Sequence, residues 1–147
     1  MSLKQSITEA VKQAMRAQDK TTLSTLRLVQ AEIKQIEVDQ RIELTDADVV
    51  GVLDKMTKKR RDAIAQFRQA NRADLVEQEQ KELKVIQHFL PQPLTQAELD
   101  VLIAEAIAEA HAEQQKDVGK VMHLLRPKIT GRADMKQLSA QVRQLLL

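Results

Sequence analysis

The chain has no cysteine, tryptophan or tyrosine, and only two phenylalanines, Phe67 and Phe89, among 147 residues. Without thiols there is no disulfide, zinc–thiolate site or thiol nucleophile, and the absence suits a reducing compartment. Without aromatic platforms, stacking on unpaired bases is excluded as a main binding mode. No segment approaches the roughly 20 apolar residues of a membrane span. The opening Met1-Ser2-Leu3-Lys4-Gln5-Ser6 lacks the apolar core of a signal peptide. A soluble, cytoplasmic protein with no membrane partner is expected. Neither charge prevails: 23 Lys plus Arg against 21 Asp plus Glu leave a formal +2, so any surface that draws nucleic acid must be local.

Three glycines and three prolines give few natural breaks, while the helix formers Ala, Leu, Gln, Glu, Lys and Arg abound. The fold class expected is all-α. Apolar residues recur at helical spacing in Leu3, Ile7, Ala10, Val11 and Ala14, then in Leu23, Leu26, Val29, Ile33 and Ile36 after a polar turn at Asp19–Thr22 with a capping hydroxyl. Thr45 with Asp48 reads as a capping box that opens a third helix. Its seam, Val49, Leu53, Met56, Ala63 and Phe67, carries it to about Ala70. Asn71 breaks the chain, and a fourth helix with Leu75, Val76, Leu83, Ile86 and Leu90 folds back to complete a long hairpin.

Pro91-Gln92-Pro93 cannot continue a helix. A multihelical N-terminal domain over 1–90, a linker over 91–94 and a C-terminal three-helix domain over 95–147 are therefore expected. Thr95 with Glu98 opens the fifth helix, which ends near His111. A short sixth, with Val118, Val121, Met122 and Leu125, stops at Pro127, and a seventh follows the turn at Gly131.

His88, His111 and His123 lack metal-ligand spacing, and neither a nucleophile elbow nor a phosphate-binding glycine loop is present. No catalytic residue, cofactor or metal is expected of this chain alone. Two basic clusters remain. In the third helix Lys58, Arg61 and Arg68 share a face and form a rail that suits phosphates. The alternative is a solvated surface paired with Glu77, Glu79 and Glu82 of the fourth helix. Arg60 instead falls within the apolar seam, so it must pair with Glu79 or Glu82 or face a groove between the two parts.

The second cluster sets Lys116, Lys120, Arg126, Lys128, Arg132 and Lys136 around Gly119 and Gly131. Gly131 suits a positive φ, the following helix start attracts anions, and Arg132 adds a phosphate-pairing fork. The alternative, compatible with the first, is a turn at Gly131 with Asp134 as helix cap.

Lys58-Lys59-Arg60-Arg61-Asp62, Arg72-Ala73-Asp74-Leu75, Phe89-Leu90-Pro91 with Pro93-Leu94, Gly119-Lys120-Val121-Met122, and Pro127-Lys128 with Gly131-Arg132-Ala133-Asp134-Met135-Lys136 together resemble the GatB/YqeY proteins over nearly the whole chain. The resemblance implies a multihelical first part and a three-helix second part. It extends to the tail of the B subunit of glutamine-dependent aminoacyl-tRNA amidotransferase, which helps to hold tRNA; Gly119, Val121, Met122, Gly131 and Ala133 match the motifs of that tail. It implies tRNA as ligand, or an aminoacyl-tRNA synthetase or amidotransferase subunit as protein partner. Carbon–nitrogen ligase chemistry with glutamine as amido donor is implied by association alone, since it belongs to other domains and subunits. A stand-alone ligase would need ATP and glutamine sites that the sequence does not display.

Overall fold

The computed structural model describes all residues, 1–147, as seven α-helices with one short 3₁₀ turn and no strand. They fall into two compact units, residues 1–90 and 91–147. The first unit holds α1 (Leu3–Ala17), α2 (Lys20–Gln40), α3 (Asp46–Gln69) and α4 (Ala73–Gln87). Local chemistry fixes each start. Ser2 and Gln5 cap α1 reciprocally, as do Thr45 and Asp48 for α3, which satisfies backbone donors that the first turn leaves free. Asp19 caps α2 with its carboxylate, accepting from Thr22 N and Thr22 Oγ1 at 3.1 and 2.7 Å. The cap expected to be a hydroxyl is thus an acid, and Thr22 donates to it.

Helix ends show what a shortage of glycine entails. Gln18, Arg41, Asn71 and His111 all take φ between 51° and 57°, the left-handed conformation that terminates helices and that glycine adopts at least cost. Of the glycines only Gly131, with φ 77°, occupies such a position.

The core of the first unit gathers Ile7, Leu26, Val29, Val49, Leu53 and Ile86, each no more than 1% exposed. Burying a side chain of this size contributes about 1.5–3 kcal/mol. Polar clamps set the register of its elements. Glu37 of α2 accepts from Lys4 Nζ at 2.7 Å and from Leu44 N at 2.8 Å, joining α1, α2 and the approach to α3. Leu3 N donates to Asp46 Oδ1 at 3.0 Å, so the starts of α1 and α3 are tied together.

The second unit holds α5 (Gln96–Ala110), α6 (Val118–Ile129) and α7 (Met135–Leu145) around Ile103, Val121, Leu125, Ile129, Leu138 and Val142. Thr95 caps α5, accepting from Glu98 N at 3.2 Å. The α6 helix does not stop at Pro127 but contains it and runs to Ile129. A proline so near the end forfeits one backbone bond, to His123 four residues back, while Ile129 is wholly buried and holds the last turn.

Between α5 and α6, Asp117 is 9% exposed and accepts from Glu113 N and Gln114 N, both at 3.1 Å. These two bonds hold its carboxyl below the ordinary range, because they favour the charged form.

Candidate nucleic-acid interface

Lys58, Arg61 and Arg68 are exposed on α3 and lie within about a quarter turn of one another at roughly 100° per residue. The opposite face carries Val49, Leu53 and Met56 into the core. The acids of α4 are engaged elsewhere: Glu77 pairs with Lys81 at 3.4 Å, and Glu79 and Glu82 lie 4.0 and 3.7 Å from Arg60 Nε. The basic row therefore keeps its outward charge rather than being neutralised across the hairpin.

Arg60 sits where its seam position dictates. Its side chain is 13% exposed, Nη1 donates to Met56 O at 3.4 Å, and Nε is buried without a hydrogen-bond partner, at ion-pair distance from both carboxylates. Thr57 Oγ1, three residues earlier on α3, is also buried without a partner. Burial, and then the neighbouring Glu82, push the Glu79 carboxyl up.

The second cluster divides into a structural half and an exposed half. Gly131 is buried and turns the chain. Arg132 does not project a free fork: Nε donates to Gln92 O at 3.0 Å and Nη2 lies 4.0 Å from Glu98 Oε2. Its carbonyl accepts from Leu94 N at 2.9 Å. Arg132 thus fastens the proline segment to the helices of the second unit. Asp134 caps α7, accepting from Lys136 N at 3.0 Å, and thereby occupies the helix start that would attract an anion. Lys120 leans toward Asp117 Oδ1 at 3.8 Å. Arg126, Lys128 and Lys136 remain exposed around the turn.

Gly119, in the first turn of α6, is exposed, and a Cβ there would meet nothing within 4 Å. Packing does not require glycine at this position. Asp117 carries only a local signal in the sequence, the spacing Gln114 to Asp117, a capping-box interval displaced by a 3₁₀ turn.

No group of three or more His, Asp or Glu side chains is placed to hold a metal ion. No helix is long and apolar enough to cross a membrane.

Among known proteins, the chain is 33% identical over 139 residues to the altered inheritance of mitochondria protein 41, mitochondrial, of Pyrenophora tritici-repentis, covering 92% of this chain and 76% of that one. It is 39% identical over 79 residues to an uncharacterized protein of Schizosaccharomyces pombe, covering 54% of this chain and 64% of that one. A second altered inheritance of mitochondria protein 41, mitochondrial, from Lachancea thermotolerans, is 33% identical over 102 residues, and the chain spans 54% of its length. These names correct the expectation of a cytoplasmic protein, because the relatives are designated mitochondrial. A chain without cysteine is indifferent to redox compartment, so its composition selects none. A family model described as YqeY-like protein matches residues 4–146, and the chain belongs to that family.

Proposed function

We propose that this protein is a tRNA-binding accessory module that grips the phosphate backbone through two exposed basic surfaces. The observation that carries the reading is the outward row Lys58, Arg61 and Arg68, exposed on α3 while Glu79 and Glu82 of α4 attend to Arg60. Arg126, Lys128 and Lys136 form the second surface. With two phenylalanines as the whole aromatic complement, recognition rests on shape and phosphate contact rather than base stacking. The resemblance to the tRNA-holding tail of the amidotransferase B subunit supports the same ligand, and the association with carbon–nitrogen ligase activity is indirect. Amide formation is not assigned to this chain.

Filter binding of total tRNA at two salt concentrations tests the reading. Replacing Lys58, Arg61 and Arg68 by Glu, or Arg126, Lys128 and Lys136 by Glu, should weaken binding by about tenfold or more and flatten its salt dependence. Wild-type affinity in both triple variants would sink it.

A second reading, a docking module for an aminoacyl-tRNA-pathway enzyme, draws on Val101 and Leu145, which are 57% and 64% exposed. Co-purification with such an enzyme that survives RNase would favour it.

A further inference from the structure

The outer face of α2 carries a pattern that neither the core nor the basic surfaces use. Thr25, Leu26, Val29 and Ile33 bury one side of this helix. On the other side Ser24, Leu28, Ala31, Gln35 and Val38 follow one another at intervals of four, three, four and three residues. Such alternation defines the seam of a two-stranded coiled coil. All five residues are exposed, with Leu28 at 52% and Val38 at 64%. The seam lies on a 21-residue helix, and the stretch from Ser24 to Val38 spans about four turns.

The charges beside the seam are sorted by sign. Arg27 and Lys34 flank one edge, and the helix-ending Arg41 extends it; Glu32 and Asp39 flank the other. All five are exposed. If two such helices met antiparallel, like edges would face each other, bases against bases and acids against acids. If they met parallel and in register, Arg27 would face Glu32 of the other helix and Lys34 would face Asp39, each pair repeated by the two-fold axis. The arrangement is self-complementary in one orientation and repulsive in the other. Gln35 adds a polar residue in the middle of the seam, the kind of residue that penalises slipped registers. In the single chain Gln35 Nε2 donates to both Asp39 carboxylate oxygens at 3.0 Å, which holds Asp39 at the edge of the seam.

We propose that α2 is a self-association surface on which a second copy of this chain docks in parallel, through Leu28, Ala31, Gln35 and Val38, with Arg27–Glu32 and Lys34–Asp39 pairs across the interface. An interface of about two heptads falls at the small end of specific contacts, so the dimer is concentration-dependent rather than obligate.

Sedimentation equilibrium of the full chain over a concentration series tests this. Reversing one edge (Arg27→Glu with Lys34→Glu) or the other (Glu32→Lys with Asp39→Lys) should each weaken self-association by about tenfold or more, since both edges then carry one sign. An equimolar mixture of the two variants should restore association, because the reversed edges complement each other. Helix content by circular dichroism controls for folding, and every replaced residue is exposed. Orientation is read separately with Gln35→Cys, which in this cysteine-free chain should form a symmetric disulfide on mild oxidation. A wild type that stays monomeric throughout, association untouched by the reversals, or a mixture that fails to restore it would each overturn the proposal.

Discussion

Arg60 Nε stands 3.7 Å from Glu82 Oε2 and 4.0 Å from Glu79 Oε2, so one guanidinium answers two carboxylates inside the α3–α4 hairpin. The three side chains are only 13%, 17% and 23% exposed for Arg60, Glu82 and Glu79, which makes the imbalance consequential. Arginine does not give up its proton. The adjustable member is a carboxyl, and Glu79 is the one pushed up. Glu79 and Glu82 of α4 turn toward Arg60, while Lys58, Arg61 and Arg68 lie exposed on another face of α3.

Removing the cation alone should be far worse than removing the whole cluster. Arg60→Ala leaves two carboxylates facing each other in a low-polarity setting, at an expected cost of about 2–4 kcal/mol. The triple replacement Arg60→Met, Glu79→Leu and Glu82→Met keeps the volume and deletes every charge, and should stay within about 1 kcal/mol of wild type. Urea denaturation of the two variants measures the contrast. If both are equally damaged, the hairpin depends on packing by the arginine stem rather than on charge.

Two acids of the first unit should titrate with opposite sign. Lys4, and then the Leu44 N–H, hold the Glu37 carboxyl below its ordinary 4.5. Its stabilisation is complete above that value and is lost as pH falls through the depressed pKa. Glu79 lies above 4.5, so its penalty is complete above the raised pKa and is relieved as pH falls through it. Glu37→Gln should therefore shrink the acid-side loss of stability. Glu79→Gln should gain on wild type as pH rises from about 4.5 toward neutrality. Thermal midpoints against pH for the three proteins decide it; parallel profiles would rule out both assignments.

What was legible in the sequence was mostly what lies within one or two turns of helix. Thr45 with Asp48 and Thr95 with Glu98 declared their helix starts because the capping partners are three residues apart. The seam through Val49, Leu53 and Met56 exposed Arg60 as a charge out of place, since helical periodicity alone puts it there. That misplaced charge in turn called for Glu79 or Glu82 across the hairpin, where both lie, but relationships with no such marker were invisible. Lys4 and Glu37 meet over 33 residues, and nothing in either neighbourhood marks them. Pro127 read as a stop, yet α6 continues past it, because the buried Ile129 contributes more than one lost backbone bond costs. Arg132 read as a free fork, yet a carbonyl 40 residues away occupies it.

The left-handed helix ends offer a direct test of backbone cost. Arg41 and His111 are exposed and hold φ of 53° and 51°, a conformation that costs a side-chain-bearing residue about 1–2 kcal/mol. Glycine relieves that cost while adding about 0.5–1 kcal/mol of unfolded-state entropy. Arg41→Gly and His111→Gly should thus each stabilise by roughly 0.5–1 kcal/mol. Gly51, inside α3, has open space where a methyl branch would stand. It should respond the other way, with Gly51→Ala stabilising by about 0.5–1 kcal/mol. Chemical denaturation of each single variant checks the signs, and a loss of stability in all three would contradict the backbone argument.

Gly119 and Arg132 let stability and ligand binding be separated in the second unit. Arg132→Ala removes the donor to the Gln92 carbonyl and the ion pair with Glu98. The hydrogen bond is charge-assisted, but the side chain is 37% exposed, so the expected cost is about 1 kcal/mol rather than the larger value of a buried contact. Gly119→Ala meets no neighbour within 4 Å and replaces a poor helix former, so stability should hold or rise by up to about 1 kcal/mol. Gly119 lies outside the two proposed basic surfaces, so tRNA affinity should be unchanged in this variant. Lys128→Glu with Lys136→Glu should instead weaken tRNA binding without lowering the midpoint, because both side chains are exposed. Paired melting curves and tRNA titrations on these variants place each residue in the scaffold or at the ligand, and affinity that merely tracks stability would assign all of them to the scaffold.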